Sequence, residues 1–197
     1  MDQPRVEFIP VASQPIARWK NGGGRTREVA VARHETGEGF RWRVSVAEVA
    51  SDGPFSLFPG IDRTLWLLRG KGMAIDVDGV EHWLDVPLVP FAFRGEAKVS
   101  ARLIDGPTED LNVMVERATT HADARVIRCG PTLEVPAADG DALLLVLDGE
   151  CDVREGPHAT HRIGAGDALL WRGSAPALRP CEASGPAVVL FARFARR

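Results

Sequence analysis

The side chains able to do chemistry crowd the first 114 residues of this 197-residue chain. Lys20, one of only three lysines against 21 arginines, follows Trp19 and leads into Asn21-Gly22-Gly23-Gly24-Arg25-Thr26. Arg43 and Ser45 stand two apart in the alternating run Phe40–Ala47, so they share one face of a strand. An arginine there can clamp a carboxylate with two N–H groups, and a serine adds a hydroxyl. Arg63 follows Asp62, a pair that mixes a turn cap with a pocket or structural ion pair. Asn112 and Met114 again share a strand face, one supplying donors and acceptors, the other adaptable packing. The candidate ligand-binding set is therefore Lys20, Asn21, Gly22, Gly23, Thr26, Arg43, Ser45, Arg63, Asn112 and Met114, and its chemistry is reception of a small anion. Two acids, Glu48 and Glu28, are candidate general bases beside Lys20 or Arg43.

Two readings of the glycine loop stay open. Three residues without a Cβ allow close approach of backbone to a ligand or to another strand. The loop either offers N–H groups to an anion or is pressed against a neighbouring strand. It lacks the Gly-x-x-x-x-Gly-Lys-Ser/Thr spacing of a nucleotide-binding loop. The face carrying Arg43 and Ser45 likewise points either into a lumen or to solvent. Elsewhere, His158-x-x-His161 is the only close histidine pair, and it follows the turn signal Gly156-Pro157. Zinc sites normally need three or four protein ligands, so no metal is expected there. His34, His82 and His121 are isolated. No Gly-x-Ser-x-Gly elbow exists, and neither Ser45 nor Ser56 has an identifiable histidine partner. Cys129, Cys151 and Cys181 are odd in number and form no Cys-x-x-Cys, which fits small buried or half-exposed thiols in a reducing cytoplasm.

Short strands must position these residues. Phe40–Ala47 alternates strictly. Thr64–Arg69, Met73–Val77 and the turn Asp78-Gly79 read as strand, tight turn, strand, hairpin, strand. Further apolar runs fall at 98–104, 112–115, 142–147, 168–171 and 187–193. Only Val11–Trp19 can hold a short helix. The composition is globular, with 45% hydrophobic and 26% charged residues, which excludes disorder, collagen and coiled coil. No run reaches the ~20 apolar residues of a membrane helix, and the N-terminus lacks the pattern of a signal peptide. A net charge of -3 argues against nucleic-acid binding.

An internal repeat divides the chain. Leu67-Leu68-Arg69-Gly70 lies over Val146-Leu147-Asp148-Gly149, and Phe91–Gly95 over Leu169–Gly173. Gly164-Ala-Gly166-Asp167 before an apolar strand resembles a cupin corner. Two such units imply a bicupin, an all-β chain of two fused double-stranded β-helix (jelly-roll) barrels spanning residues 1–118 and 119–197.

Trp19–Gly24 with Thr26 and Glu28, Trp42-Arg43-x-Ser45, Gly53–Arg63, Leu68-x-Gly70-x-Gly72 and Gly106–Met114 together resemble the HutD/Ves family of bicupins. The resemblance implies the two-barrel fold and, for the HutD branch, a link to histidine degradation; it supplies no reaction. Catalytic cupins hold a metal through His-x-His, a following Glu and a distal His. Counted from Gly70, those positions fall at Ser56, Phe58 and Arg63. Counted from Gly149, they fall at Val135, Ala137 and Ala142, with the distal one near Ser174–Ala177. The expectation is therefore a cytoplasmic binder of a small anionic ligand, such as urocanate or N-formylglutamate, with no metal, cofactor, nucleic acid or membrane. A metal-independent isomerase or hydrolase is the first alternative. A dimeric scaffold using the apolar strand Val188–Phe191 is the second.

Overall fold

In the computed structural model, which describes residues 6–129, 135, 137–155, 159–182 and 185–197, the alternating runs form strands. The chain divides into two compact units, Gln14–Thr120 and a second made of Met1–Ser13 with His121–Arg197. Grouping residues 1–118 together therefore needs adjustment at its start. The strand Val6–Ile9 pairs antiparallel with Ala168–Trp171, in the second unit. The helix expectation over Val11–Trp19 shrinks to one 3-10 turn, Val11–Ser13. Past Pro15 the chain becomes the strand Ile16–Arg18, which pairs with Arg25–Arg27.

Each unit carries two principal sheets. In Gln14–Thr120, a six-stranded sheet runs in the order Ile16–Arg18, Gly24–Arg33, Phe40–Val49, Thr108–Glu116, Ile61–Arg69, Pro90–Arg94. A four-stranded sheet is built from Gly53–Pro54, Val99–Leu103, Met73–Val77 and Val80–Leu84. Leu65 and Leu67 of the larger sheet pack with Met73, Ile75, Val99 and Ala101 of the smaller. In the other unit, Leu144, Trp171 and Val189 of a five-stranded sheet pack with Cys151, Val153 and Ile163 of a three-stranded one. Burial of each such aliphatic side chain is worth roughly 1.5–3 kcal/mol.

The sequence repeat is a repeat of architecture. Ile61–Arg69 belongs to the six-stranded sheet, and the Gly70–Gly72 corner carries the chain into the smaller sheet, where Met73–Val77 and Val80–Leu84 form a hairpin. Asp78 and Gly79 both have positive φ (53° and 88°), which the two-residue hairpin turn requires. In the second unit Asp141–Asp148, Gly149 and the hairpin Glu150–Glu155/Ala159–Gly164 repeat the same path. Pro90–Arg94 pairs with Ile61–Arg69 just as Ala168–Trp171 pairs with Asp141–Asp148.

Val188–Phe191, the strand of the scaffold alternative, is buried in the five-stranded sheet, with Val189 and Leu190 fully inaccessible. Cys129 and Cys151 are buried, with Sγ atoms 3.5 Å apart. The His158-x-x-His161 pair lies partly outside the described residues. Among the described residues, no helix is long and apolar enough to cross a membrane.

Candidate functional site

The polar face of the six-stranded sheet looks inward. Antiparallel register sets Ser45 beside Asn112, and places Arg43 and Arg63 on either side of Met114. By period-2 alternation Arg43, Ser45 and Ala47 share a face, as do Asp110, Asn112 and Met114. These side chains, with Arg63, line a cleft of about 710 Å³ bordered at its rim by residues 17–21 and by Pro54, Phe55, Ser56 and Phe58. That is a volume suited to a small molecule. The opposite face of the same strands carries Trp42, Val44, Leu111 and Val113, all buried. Both faces of the central strands are thus covered.

Eight of the ten sequence candidates line the cleft: Lys20, Asn21, Thr26, Arg43, Ser45, Arg63, Asn112 and Met114. Gly22 and Gly23 do not. Their amides are consumed inside the loop, Gly22 N–H donating to the Trp19 carbonyl and Gly23 N–H to Asn21 Oδ1, each at 3.0 Å. Gly23 and Gly24 serve close packing, while Gly22 takes a positive φ of 72°. A Cβ on Gly24 would lie 2.2 Å from the Glu48 carbonyl oxygen and 3.0 Å from the Trp19 ring. Trp19 in turn donates its indole N–H to Thr26 Oγ1 at 2.8 Å, fixing the rim of the cleft. Gly24→Ala must push apart two paired strands, and is expected to cost about 2 kcal/mol, the scale of overpacking. Urea denaturation against wild type measures it.

Neither proposed general base reaches the cleft. Glu48 sits on the other face of its strand and pairs with Arg25 at 2.6 Å. Glu28 binds Arg43 Nε at 2.7 Å and Arg33 at 3.3 Å, so it neutralises and orients the clamp. The rest of the Arg43 fork has no partner among the described residues. Asp62 turns away from Arg63 and pairs with Arg117 at 2.7 Å.

Four residues of importance were not among the ligand-binding candidates. Phe55, Phe58 and Phe93 surround the Arg63 guanidinium, with ring centroids 5.3, 5.4 and 5.0 Å from its carbon. Cation–π attraction holds the charge there. Burial still pulls the Arg63 pKa down to about 10, against a raising influence from Asp110 and with a further lowering from Arg43. Its Nε is buried with no partner, and its Nη1 lies 3.5 Å from the Ser56 carbonyl. Asp110 is the fourth. It is 2% exposed, lines the cleft, and has no hydrogen bond or ion pair among the described residues. Burial pushes its carboxyl up to about 7, only partly opposed by Arg63 and reinforced by the neighbouring Glu109. The signal for Asp110 was its spacing, since it alternates with Asn112 and Met114.

The site does not fit a divalent cation. Ser56, Phe58 and Arg63 all line the cleft, at the positions where the cupin pattern puts metal ligands, and a guanidinium cannot ligate. Among the described residues no three His, Cys, Asp or Glu side chains converge on one point. His34 instead approaches Glu116 at 3.3 Å, and His82 packs on the Phe91 ring.

A chain of paired open sheets with almost no helix has an all-β, cupin-like fold. Its fold resembles that of a cupin barrel domain protein from Leptotrichia buccalis, with a TM-score of 0.58 at 10% identity over 85% of this chain and 87% of that one. The chain belongs to the HutD family, whose model matches residues 11–190. It is 31% identical, over 86% of its length and 88% of the relative's, to an uncharacterised 21.2 kDa protein in the hutC 3′ region of Pseudomonas putida. It is 33% identical to protein Ves of Citrobacter koseri, over 84% of this chain and 92% of that protein. The structure of HutD from Pseudomonas fluorescens SBW25 superposes with a TM-score of 0.83 at 30% identity, covering 98% of this chain and all of that one. These relatives link the family to the histidine-utilisation region.

Proposed function

We propose that this chain binds a small carboxylic acid in the cleft, without a metal, and thereby modulates histidine utilisation. The observation that carries this reading is the charge of the lining: Arg18, Lys20, Arg43 and Arg63 converge on one cleft that holds a single acid, Asp110. Arginine forks recognise carboxylates bidentately, and a partly enclosed site strengthens each such contact. Relatives in the histidine-utilisation region direct the choice of acid towards urocanate or N-formylglutamate. The same reading takes the two units as fused jelly rolls, each formed of two facing sheets, with the ligand site in the first.

Isothermal calorimetry with both acids tests the reading. Saturable binding is expected, and Arg43→Met should weaken it by about tenfold through loss of charge-assisted hydrogen bonds. Absence of heat and of thermal stabilisation with every histidine-pathway acid sinks it.

Asp110 also supports a second reading, as an isomerase or hydrolase. A carboxyl with a pKa near neutrality and no partner has what a general base needs. Product formation followed by NMR separates the two. Turnover that Asp110→Asn abolishes while binding persists favours the enzyme; binding with no turnover favours the modulator.

A further inference from the structure

At the base of the cleft the Asn112 carboxamide oxygen is buried with no donor, and the nearby Asp110 carboxylate makes no hydrogen bond among the described residues. Asn112 is 7% exposed, and its Oδ1 is fully inaccessible to solvent with no partner. Asp110, two residues away on the same strand face, is 2% exposed and is likewise without a hydrogen bond among the described residues. Leaving a buried polar group unpaired costs roughly 1–3 kcal/mol. The surroundings do not relieve it. Ser45 is the cross-strand neighbour of Asn112 on one side, Leu65 on the other. Arg63, the nearest buried cation, is held among three phenylalanine rings and makes no ion pair with Asp110 within 4 Å. The cationic groups that can take a carboxylate are distributed differently. Lys20 and Arg18 stand at the exposed rim, while Arg43 and Arg63 flank Met114 further along the sheet.

The geometry points to an acceptor pair, Asp110 with the Asn112 carboxamide oxygen, that receives an N–H group of the ligand while the arginines hold its carboxylate. The ligand class is then a small carboxylic acid that also carries an N–H donor, either on a nitrogen heterocycle or on an amide. Acids of equal shape without that donor are disfavoured, because they leave the buried Asn112 oxygen unpaired and give Asp110 no donor. The role of Asp110 does not depend on its ionisation, since a carboxylic acid retains an accepting carbonyl oxygen.

This inference rests on the small-acid reading, and paired ligands separate the two. Urocanate is compared with furylacrylate, a five-membered-ring analogue with no N–H. N-formylglutamate is compared with 2-formyloxyglutarate, its ester analogue, in which an oxygen replaces the amide N–H. Calorimetry on the full chain is expected to show at least tenfold tighter binding for one N–H-bearing member over its partner. Asp110→Leu and Asn112→Leu should remove that preference, and Asn112→Ser guards against a variant that fails to fold. A purely structural role lowers the melting temperature without changing the ratio within a pair. Equal affinities within both pairs overturn the acceptor pair and leave the small-acid reading standing, as does a preference that survives all three variants. Failure of all four acids to bind overturns both.

Discussion

Asp110→Asn is expected to make the protein progressively more stable than wild type as pH rises. In the folded chain the Asp110 carboxyl is lifted from 3.8 to about 7, first by burial, with Glu109 adding to the lift and Arg63 opposing it. In the unfolded chain it ionises near its ordinary value. Between those two values the folded state binds more protons than the unfolded state, so stability falls with rising pH. Below about pH 4 both states are protonated and nothing is lost. Above about pH 7 both are ionised, and the full penalty, about 4 kcal/mol for a displacement of this size, is present. Asparagine does not titrate and carries none of it. The variant-minus-wild-type difference in unfolding free energy should therefore rise by about 3 kcal/mol between pH 5 and pH 8, read from urea melts. Glu96 runs in the opposite sense. Its hydrogen bonds to Arg117 hold it down to about 2, so its contribution is present above the ordinary glutamate range and fades as pH falls. That contribution is common to both proteins and cancels in the difference. A pH-independent difference would mean that Asp110 ionises normally in the fold, through solvent or a partner reaching it.

Much of this architecture was legible in the chain because its turns are marked by glycine. Gly70 and Gly149 each lie where a Cβ would fall 2.6 and 2.3 Å from a proline carbonyl, of Pro107 and Pro186 respectively. Only glycine fits there, so the sequence repeat and the structural repeat share the same landmarks. The exchange of Val6–Ile9 into the second unit was not legible. Four residues of alternating strand carry no information about which sheet accepts their backbone. The cleft was half legible for a related reason. Alternation told which residues share a face, and it correctly grouped Arg43 with Ser45 and Asn112 with Met114. It did not tell which face was covered, because a polar stripe opposite Trp42, Val44 and Val46 ordinarily means solvent. Here both stripes are covered, the apolar one by packing and the polar one by the cleft walls. Asp110 belonged to the polar stripe, two residues before Asn112 and four before Met114. The rings around Arg63 come from loop 54–58 and from the strand Pro90–Arg94, and only the fold unites them.

Arg63→Met is expected to abolish most ligand affinity while leaving the fold at least as stable. The wild-type guanidinium is costly where it stands. It is 6% exposed, its Nε has no partner, and among the described residues no carboxylate lies within ion-pair distance. Three aromatic rings offset part of that desolvation. Methionine fills a similar volume against the same rings and carries no charge into them, and replacing buried ionic groups by packed apolar ones is often neutral or stabilising. Asp110 loses its nearest buried cation in the variant, so its carboxyl should rise further and stay neutral at pH 7, which limits the penalty of the exchange. Binding moves the other way. An arginine already desolvated by the protein needs little further dehydration when a carboxylate arrives, and its contact is charge-assisted in a poorly screened site. Its loss should weaken binding of the small acid by about 100-fold. Arg63→Lys should recover only part of that, because a lysine returns the charge without the planar fork that both stacks on the rings and meets two carboxylate oxygens. Calorimetry and thermal melts on the two variants read both quantities. A methionine variant that binds the acid as well as wild type would make Arg63 a structural cation, and would move the ligand's carboxylate to Arg43, Arg18 or Lys20. A variant that loses affinity with no loss of melting temperature would show a site whose charge is kept at the expense of stability, at the very position where a metal-binding cupin keeps a metal ligand.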